Sequence, residues 1–123
     1  MSLGKQEQLQ QALAGLRSAI PEVRGVLIAS SDGLPMAQNM TGNEDPNRVA
    51  AMAATALGLG KRIADTLNAG SLSETSVTGS EGLVYLYSAG PKGVLVVVAP
   101  SQANVGMIHL EARDAARRIQ EIL

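Results

Sequence analysis

The run Gly58-Leu59-Gly60-Lys61 is the closest approach in this sequence to a ligand-binding motif. A phosphate-binding loop needs a glycine, four further residues and then Gly-Lys-Ser/Thr, placed between a strand and a helix, so that backbone N–H groups and the lysine surround the phosphates. Here Arg62 follows the lysine, and the run falls inside a segment with helical periodicity. The pattern therefore argues against nucleotide binding at this position.

The other residues with chemical potential do not form a recognisable catalytic set. His109 is the only histidine, and a chain without cysteine has neither a thiolate nucleophile nor a cysteine-ligated metal site. We expect His109 to be a partly buried packing residue and Asp32, which precedes Gly33, to serve a turn. The sequence thus predicts a protein that is not an enzyme and that needs no cofactor or metal.

Composition restricts the class of partner. The 123 residues have a net charge of −1 and include no Phe, no Trp and only two tyrosines, whereas nucleic-acid binding needs clustered Lys and Arg or aromatic stacking platforms. The length fits one domain, which we place at residues 5–123, with residues 1–4 disordered or derived from expression. Because no secretory signal or membrane-spanning run is recognisable, we expect a cytoplasmic protein without membrane insertion.

Hydrophobic periodicity and turn signals predict the element order α-β-β-α-β-β-β-α. A first amphipathic helix ends near Ile20-Pro21, and a strand, an Asp32-Gly33 turn and a second strand follow. Pro35 has no N–H to donate, so the second strand should begin at an edge or a bulge. Asp45 and Pro46 are favourable residues for starting a helix, which we expect to run to about Ala69.

The second half of the chain supplies three strands and a last helix. Residues 72–78 are polar and alternating, as in an edge strand, whereas residues 94–99 are apolar on both faces, as in a central strand. Short turns favour antiparallel neighbours. The predicted fold class is therefore α/β (α+β), with a five-stranded antiparallel sheet between one helix on one face and two helices on the other.

The second helix has two faces of different composition, placed here at about 100° per residue. The expected core face consists of Val49, Met52, Ala53, Ala56, Leu59, Ile63 and Leu67. The other face is small and nearly uncharged, with Ala51, Ala54, Thr55, Gly58 and Arg62. Alanine is a good helix former, but a glycine costs roughly 1 kcal/mol inside a helix. Gly58 and Gly60 therefore favour a close helix–helix contact as the reason for the small side chains.

Several segments together resemble the Roadblock/dynein light-chain domains, in particular those of the bacterial MglB-like type. The resemblance rests on Leu13-x-x-Leu16, Ile20-Pro21-x-Val23-x-Gly25-Val26-Leu27-Ile28, Asp32-Gly33-Leu34-Pro35, residues 49–52 through Leu57-Gly58, and Asn104-x-Gly106-x-Ile108-x-Leu110. Such domains place the second helix on one sheet face and the first and last helices on the other. They dimerise with their third strands joined and their second helices side by side.

The resemblance implies a homodimer and a partner. Its interface would comprise Ala51, Ala54, Thr55, Gly58, Leu72, Thr75 and Val77. Bacterial members bind Ras-like small GTPases on the surface of the second helix. This chain is accordingly expected to be a homodimeric regulator of a small Ras-like GTPase, GTPase-activating or state-stabilising, with Arg48, Lys61 and Arg62 either contacting that partner or solvated. The alternatives are a non-catalytic scaffold or adaptor dimer and, ranked last, a small-ligand sensor module.

Overall fold

Three helices and five strands follow one another in the predicted order in the computed structural model, which describes residues 3–123. The elements are α1 (Lys5–Ala19), β1 (Gly25–Ser30), β2 (Pro35–Met40), α2 (Pro46–Thr66), β3 (Glu74–Thr78), β4 (Gly82–Ser88), β5 (Gly93–Pro100) and α3 (Val105–Ile122). Of residues 1–4, expected to be disordered or expression-derived, Met1 and Ser2 lie outside the described residues. Gly4 is the N-cap of α1.

The strands form one antiparallel sheet in the order β2-β1-β5-β4-β3, so β2 and β3 are its edges. β5 lies at the centre, as its continuous apolar run predicted. Alternate residues of β1 face opposite sides of the sheet. Val26 and Ile28 pack with α1 and α3 on one face, whereas Leu27 and Ala29 pack with α2 on the other. The predicted fold class is confirmed.

The β1–β2 turn has the geometry that its sequence requires. Gly33 has a φ of +91°, a conformation that side-chain-bearing residues rarely adopt. The pairing register shifts between Ile28 and Ala29, where Ala29 stands opposite Pro35. β2 therefore starts at an irregularity on a sheet edge, which is where a residue without an N–H is tolerated.

Gly33→Ala is expected to destabilise the protein by about 1–3 kcal/mol. Alanine at position 33 would have to adopt the positive φ. Its Cβ would also lie 3.3 Å from Cα of Ala51, a backbone atom that cannot rotate away. Chemical denaturation measures the loss. Gly15→Ala is the matched control, because its Cβ would meet nothing within 4 Å inside α1. A Gly33→Ala protein with unchanged free energy of unfolding would contradict this account.

The prediction of which face of α2 packs against the core is wrong. The buried residues of α2 are Ala50, Ala53, Leu57 and Ala64. Of the seven residues expected to face the core, only Ala53 is buried, while Val49 and Ala56 are half-buried. Met52, Leu59, Ile63 and Leu67 are 61%, 56%, 52% and 71% exposed. The physical reason is that the small side chains of three alanines let the helix backbone approach the sheet closely, and Leu57 is the one large side chain buried in this contact.

The ends of α2 follow their sequence signals. The carboxylate of Asp45 accepts a hydrogen bond from the backbone N–H of Asn47 at 2.9 Å, as an N-cap does. The helix ends at Thr66, slightly before the predicted end at Ala69. Asn68 and Gly70 then take positive φ angles of 56° and 88°, which turn the chain towards β3.

Candidate protein interaction site

The flank of α2 on the side of β3 carries large apolar side chains. Met52, Leu59 and Ile63 lie on one stripe of the helix at about 100° per residue, and each is more than half exposed. We call these three residues the apolar stripe. Three large apolar side chains on one exposed surface are typical of a region that another protein covers.

An apolar groove of about 440 Å³ lies beside this stripe, between α2 and the sheet. Its lining residues are Met40, Glu44, Val49, Met52, Ala53, Ala56, Val77, Val84, Leu86, Val96 and Val98. Glu44 is the one charged residue among them. Val77 of β3 is 55% exposed and continues the apolar surface from the groove to the edge of the sheet. The stripe and the groove thus form one surface that ends at β3.

The two edges of the sheet differ in their accessibility. On β2, Gln6 Nε2 donates to the carbonyl of Met36 at 2.8 Å, and the N–H of Met40 donates to Gln38 Oε1 at 3.1 Å. Arg17 Nη1 donates to the carbonyl of Asn39 at 2.9 Å. Within residues 3–123, no side-chain hydrogen bond reaches the backbone of β3. An uncovered edge is a template for pairing with another strand, so β3 is the edge available for it.

The predicted interface residues Leu72, Thr75 and Val77 lie on the groove side of the molecule. A Cβ added at Gly60 would be 2.8 Å from Leu72 Cδ2 and 3.8 Å from Thr75 Cβ. The absence of a side chain at Gly60 is therefore explained by packing within one protomer. This packing brings the middle of α2 against the start of β3.

The predicted interface residues on the small face of α2 have different surroundings. Ala51 and Ala54 lie against the β1–β2 turn, since a Cβ at Gly33 would approach both. Their small size thus has an explanation within the protomer. The hydroxyl of Thr55 donates to the carbonyl of Ala51 at 2.8 Å. At Gly58 an added Cβ would meet nothing within 4 Å. The part of these four residues in a dimer remains a prediction.

The predicted partner-binding residues Arg48, Lys61 and Arg62 are all exposed. At about 100° per residue, Arg48 and Arg62 point to the outward side of α2, whereas Lys61 points towards the end of the sheet. Lys61 lines an open pocket with Asp65 and Asn68. The structure therefore does not bring the three cations into one patch.

His109 is partly buried, as expected, but it also has polar partners that the sequence did not predict. Its Nδ1 lies 2.8 Å from the Tyr87 hydroxyl and 3.0 Å from Glu74 Oε2. Arg113, one turn along α3, donates to the same carboxylate at 2.8 Å. The cross-strand pairing of Glu74 with Tyr87 creates this cluster. From the sequence, this cluster could have been predicted only if the register of the β3–β4 hairpin had been predicted correctly.

Two kinds of feature, a group of metal ligands and a membrane-spanning helix, are not found in the described part of the chain. Among residues 3–123, no three metal-ligating side chains come together. No helix in the same range is long and apolar enough to cross a membrane. What stands out is therefore the surface formed by the apolar stripe, the groove and β3.

The Roadblock/LC7 domain model matches residues 9–99. The chain belongs to the Roadblock/LC7 family. Two relatives from Methanocaldococcus jannaschii, uncharacterized proteins MJ1340 and MJ0310, are each 33% identical over 98 residues, which is 80% of this chain and 85% of each relative. Because these relatives are archaeal, the expectation of a bacterial type remains a prediction.

Solved structures show the same Roadblock fold. Gliding protein mglB from Thermus thermophilus has a TM-score of 0.88 at 18% identity, covering 99% of this chain and 93% of its own. Myxococcus xanthus MglB has a TM-score of 0.88 at 16% identity, covering 99% and 92%. A Roadblock/LC7 domain from Streptomyces avermitilis is 27% identical, with a TM-score of 0.69 and coverage of 91% and 98%. The resemblance drawn from the sequence is confirmed.

Proposed function

We propose that this Roadblock domain is a homodimeric regulator of a small Ras-like GTPase. The observation that carries the proposal is the continuous surface formed by the apolar stripe, the groove and the uncovered edge of β3. Two copies related by a two-fold axis would pair their β3 strands and place the same apolar residues against each other. This arrangement would cover Val77, Leu59 and Ile63, which are all more than half exposed in one protomer.

Only one edge of the sheet suits such pairing. The hydrogen bonds from Gln6 and Arg17 tie β2 to α1, so a second copy would have to displace them. β3 offers backbone groups next to an apolar groove, which combines strand pairing with burial of apolar area. Leu72 and Thr75, which were predicted in the interface, lie at this edge. The dimer we propose is therefore built on β3 and α2.

The GTPase is proposed from the family resemblance, and the structure suggests how regulation would work. We propose that this chain acts on its partner by docking. A dimer presents the outward sides of two α2 helices as one composite surface, where Arg48 and Arg62 could contact acidic residues of the GTPase. A regulator of this kind changes the partner by binding one nucleotide state more tightly than the other. Such a partner is cytoplasmic, and we place this protein there.

Binding and turnover measurements with a candidate Ras-like GTPase test the proposal. We expect this chain to bind the GTPase with different affinities in its GDP-bound and GTP-analogue-bound states and to change its rate of hydrolysis or exchange. If the affinity is the same in both nucleotide states and the rates of hydrolysis and exchange are unchanged, the regulatory role is overturned and the protein is a scaffold or adaptor dimer. Light scattering should give a mass of about twice 12.7 kDa. A monomer at all concentrations would overturn the dimer.

Gly58→Leu tests whether the small face of α2 belongs to the dimer contact. Because an added Cβ meets nothing within 4 Å in the protomer, and leucine favours a helix over glycine, the folded protomer should not be destabilised. We expect the dimer dissociation constant, measured by sedimentation, to rise roughly tenfold. An unchanged constant would confine the contact to the apolar stripe and β3, and would remove Gly58 from the interface.

A further inference from the structure

The carboxylate of Glu74 connects the edge strand β3 to the last helix. Its Oε1 accepts a hydrogen bond from Nε of Arg113 at 2.8 Å and forms an ion pair with Nη2 at 2.8 Å, and its Oε2 lies 3.0 Å from Nδ1 of His109. Glu74 is the first residue of β3, and its side chain is only 20% exposed. Two side chains of α3 thus hold the position at which this strand begins.

Aromatic rings form the base of this cluster. Tyr87 stands opposite Glu74 in the β3–β4 register, and Tyr85 stands opposite Ser76. The imidazole of His109 meets the Tyr85 ring edge-on at 4.9 Å between centroids and the Tyr87 ring at 5.9 Å. The chain has two tyrosines, one histidine and no Phe or Trp, so all of its aromatic side chains lie here. The cluster lies under the start of β3.

The imidazole of His109 has one hydrogen bond and one charge contact. Its Nδ1 shares a hydrogen bond with the Tyr87 hydroxyl at 2.8 Å and lies 3.0 Å from Glu74 Oε2. Burial, reinforced by the charge of Glu74, raises the pKa of Tyr87, so its hydroxyl remains protonated. Glu74 is thereby held by the guanidinium of Arg113 and by its contact with the His109 ring.

The rest of β3 has little other support. Ser76, Val77 and Thr78 are exposed, and their backbone pairs only with β4 within the described part of the chain. On the α2 side, Leu72 and Thr75 lie next to Gly60, and Val77 lines the groove. An edge strand held in this way can move away from the sheet plane unless its first residue is fixed. The Glu74 contacts supply that fixation from the α3 side.

We propose that Glu74, His109 and Arg113 are positioning residues for dimerisation, which set the affinity of one copy for another without touching the second copy. The proposal rests on the proposed dimer through β3. We expect that β3 must lie in the sheet plane to pair with β3 of the second copy. Removing the contacts of Glu74 would then lower the fraction of molecules in which β3 has this position. The apparent dissociation constant then rises by the inverse of that fraction.

Sedimentation of the full chain and of Glu74→Gln, His109→Gln and the double variant tests this. We expect each single variant to raise the dimer dissociation constant roughly five- to tenfold, and the double variant to match the weaker single, because both remove the same link. Hydrogen exchange should accelerate in residues 74–78 while the thermal midpoint at fixed low concentration stays nearly unchanged. A purely structural role would lower the midpoint and leave the dissociation constant unchanged.

Two arginines on α3 provide a test variant and its matched control. Arg113→Gln should weaken the dimer, because it removes a contact with Glu74. Arg117→Gln should not, since Arg117 pairs with Asp114 of its own helix at 3.4 Å. If all variants dimerise as the unmodified chain does, or if Arg117→Gln has the same effect as Arg113→Gln, the positioning role is overturned and the dimer stands. An unmodified chain that stays monomeric overturns the dimer, and the positioning role with it. If Glu74→Gln does not fold, His109→Gln and Arg113→Gln still test the positioning role.

Discussion

Leu59→Glu is expected to convert the dimer to monomers over the micromolar concentration range. Leu59 is the middle residue of the apolar stripe and is 56% exposed in the protomer. In a two-fold dimer the substitution would place two carboxylates in an apolar contact, and burying an unpaired charge costs several kcal/mol. We therefore expect the dimer dissociation constant to rise by roughly a hundredfold or more. Sedimentation velocity over a concentration series measures it.

Leu110→Glu is the matched control for this experiment. Leu110 lies on α3, on the other face of the sheet, and is 64% exposed. Both substitutions exchange an exposed helical leucine for glutamate, so both should leave the free energy of unfolding of the protomer nearly unchanged. If Leu59→Glu dimerises as the unmodified chain does, or if Leu110→Glu dissociates the dimer equally, the apolar stripe is not the dimer surface.

The element order and the sheet positions could be predicted because their signals are local. The apolar run of β5 requires cover on both faces, which only a central strand has. Pro35 lacks an N–H, and the structure places it at an edge irregularity opposite Ala29. Asp45 needs only the next helical turn to act as a cap. In each case one residue type has one favourable position, so the sequence determines the result.

The orientation of α2 could not be predicted, because hydrophobic periodicity does not tell which apolar surface is covered within the protomer. Ala50 and Ala53 face the sheet, while Met52 and Ile63 are more than half exposed on the flank of α2 towards β3. A helix that contacts both its own sheet and another molecule has two apolar sides. The larger side chains dominated the sequence pattern, and they lie on the side we assign to the dimer. The error is thus informative about function.

The cluster around His109 could not be predicted for a different reason. It joins residues from β3, β4 and α3, and it depends on a register that pairs Glu74 with Tyr87. Neither helical nor strand periodicity carries information on such contacts between distant segments. A histidine without sequence neighbours of suitable chemistry is most simply interpreted as a packing residue. The fold supplied the carboxylate and the hydroxyl that the local sequence lacks.

The proposed dimer assigns separate tasks to different parts of one helix. The side of α2 next to β3 is apolar and ends at Val77, which suits a permanent contact between identical copies. The outward side carries Arg48 and Arg62, which suits a reversible contact with a charged partner. Opposite charges across such a contact accelerate association more than they add to affinity. Substitutions on the two sides should therefore have separable effects on dimerisation and on partner binding.

Arg62→Glu is expected to weaken binding of the Ras-like GTPase by roughly thirtyfold while the dimer persists. Arg62 is exposed on the outward side of α2, so reversing its charge leaves the apolar stripe intact. A glutamate facing acidic residues of the partner would replace attraction by repulsion, and such juxtapositions are strongly unfavourable. Titration calorimetry at low and at high salt measures the affinity. The difference between the two proteins should shrink at high salt, because screening weakens exposed charge contacts.

Arg117→Glu provides the comparison, because Arg117 is an equally long and exposed cation on α3, on the opposite face of the sheet. Both variants change the net charge by the same amount, so a general effect of charge on the encounter with the GTPase would appear in both. A specific contact at α2 would appear only in Arg62→Glu. Equal losses of affinity would mean that the GTPase responds to total charge, and unchanged binding by Arg62→Glu would remove this arginine from the docking surface. Only a loss confined to Arg62→Glu, in a protein that is still dimeric, is consistent with docking on the outward side of α2.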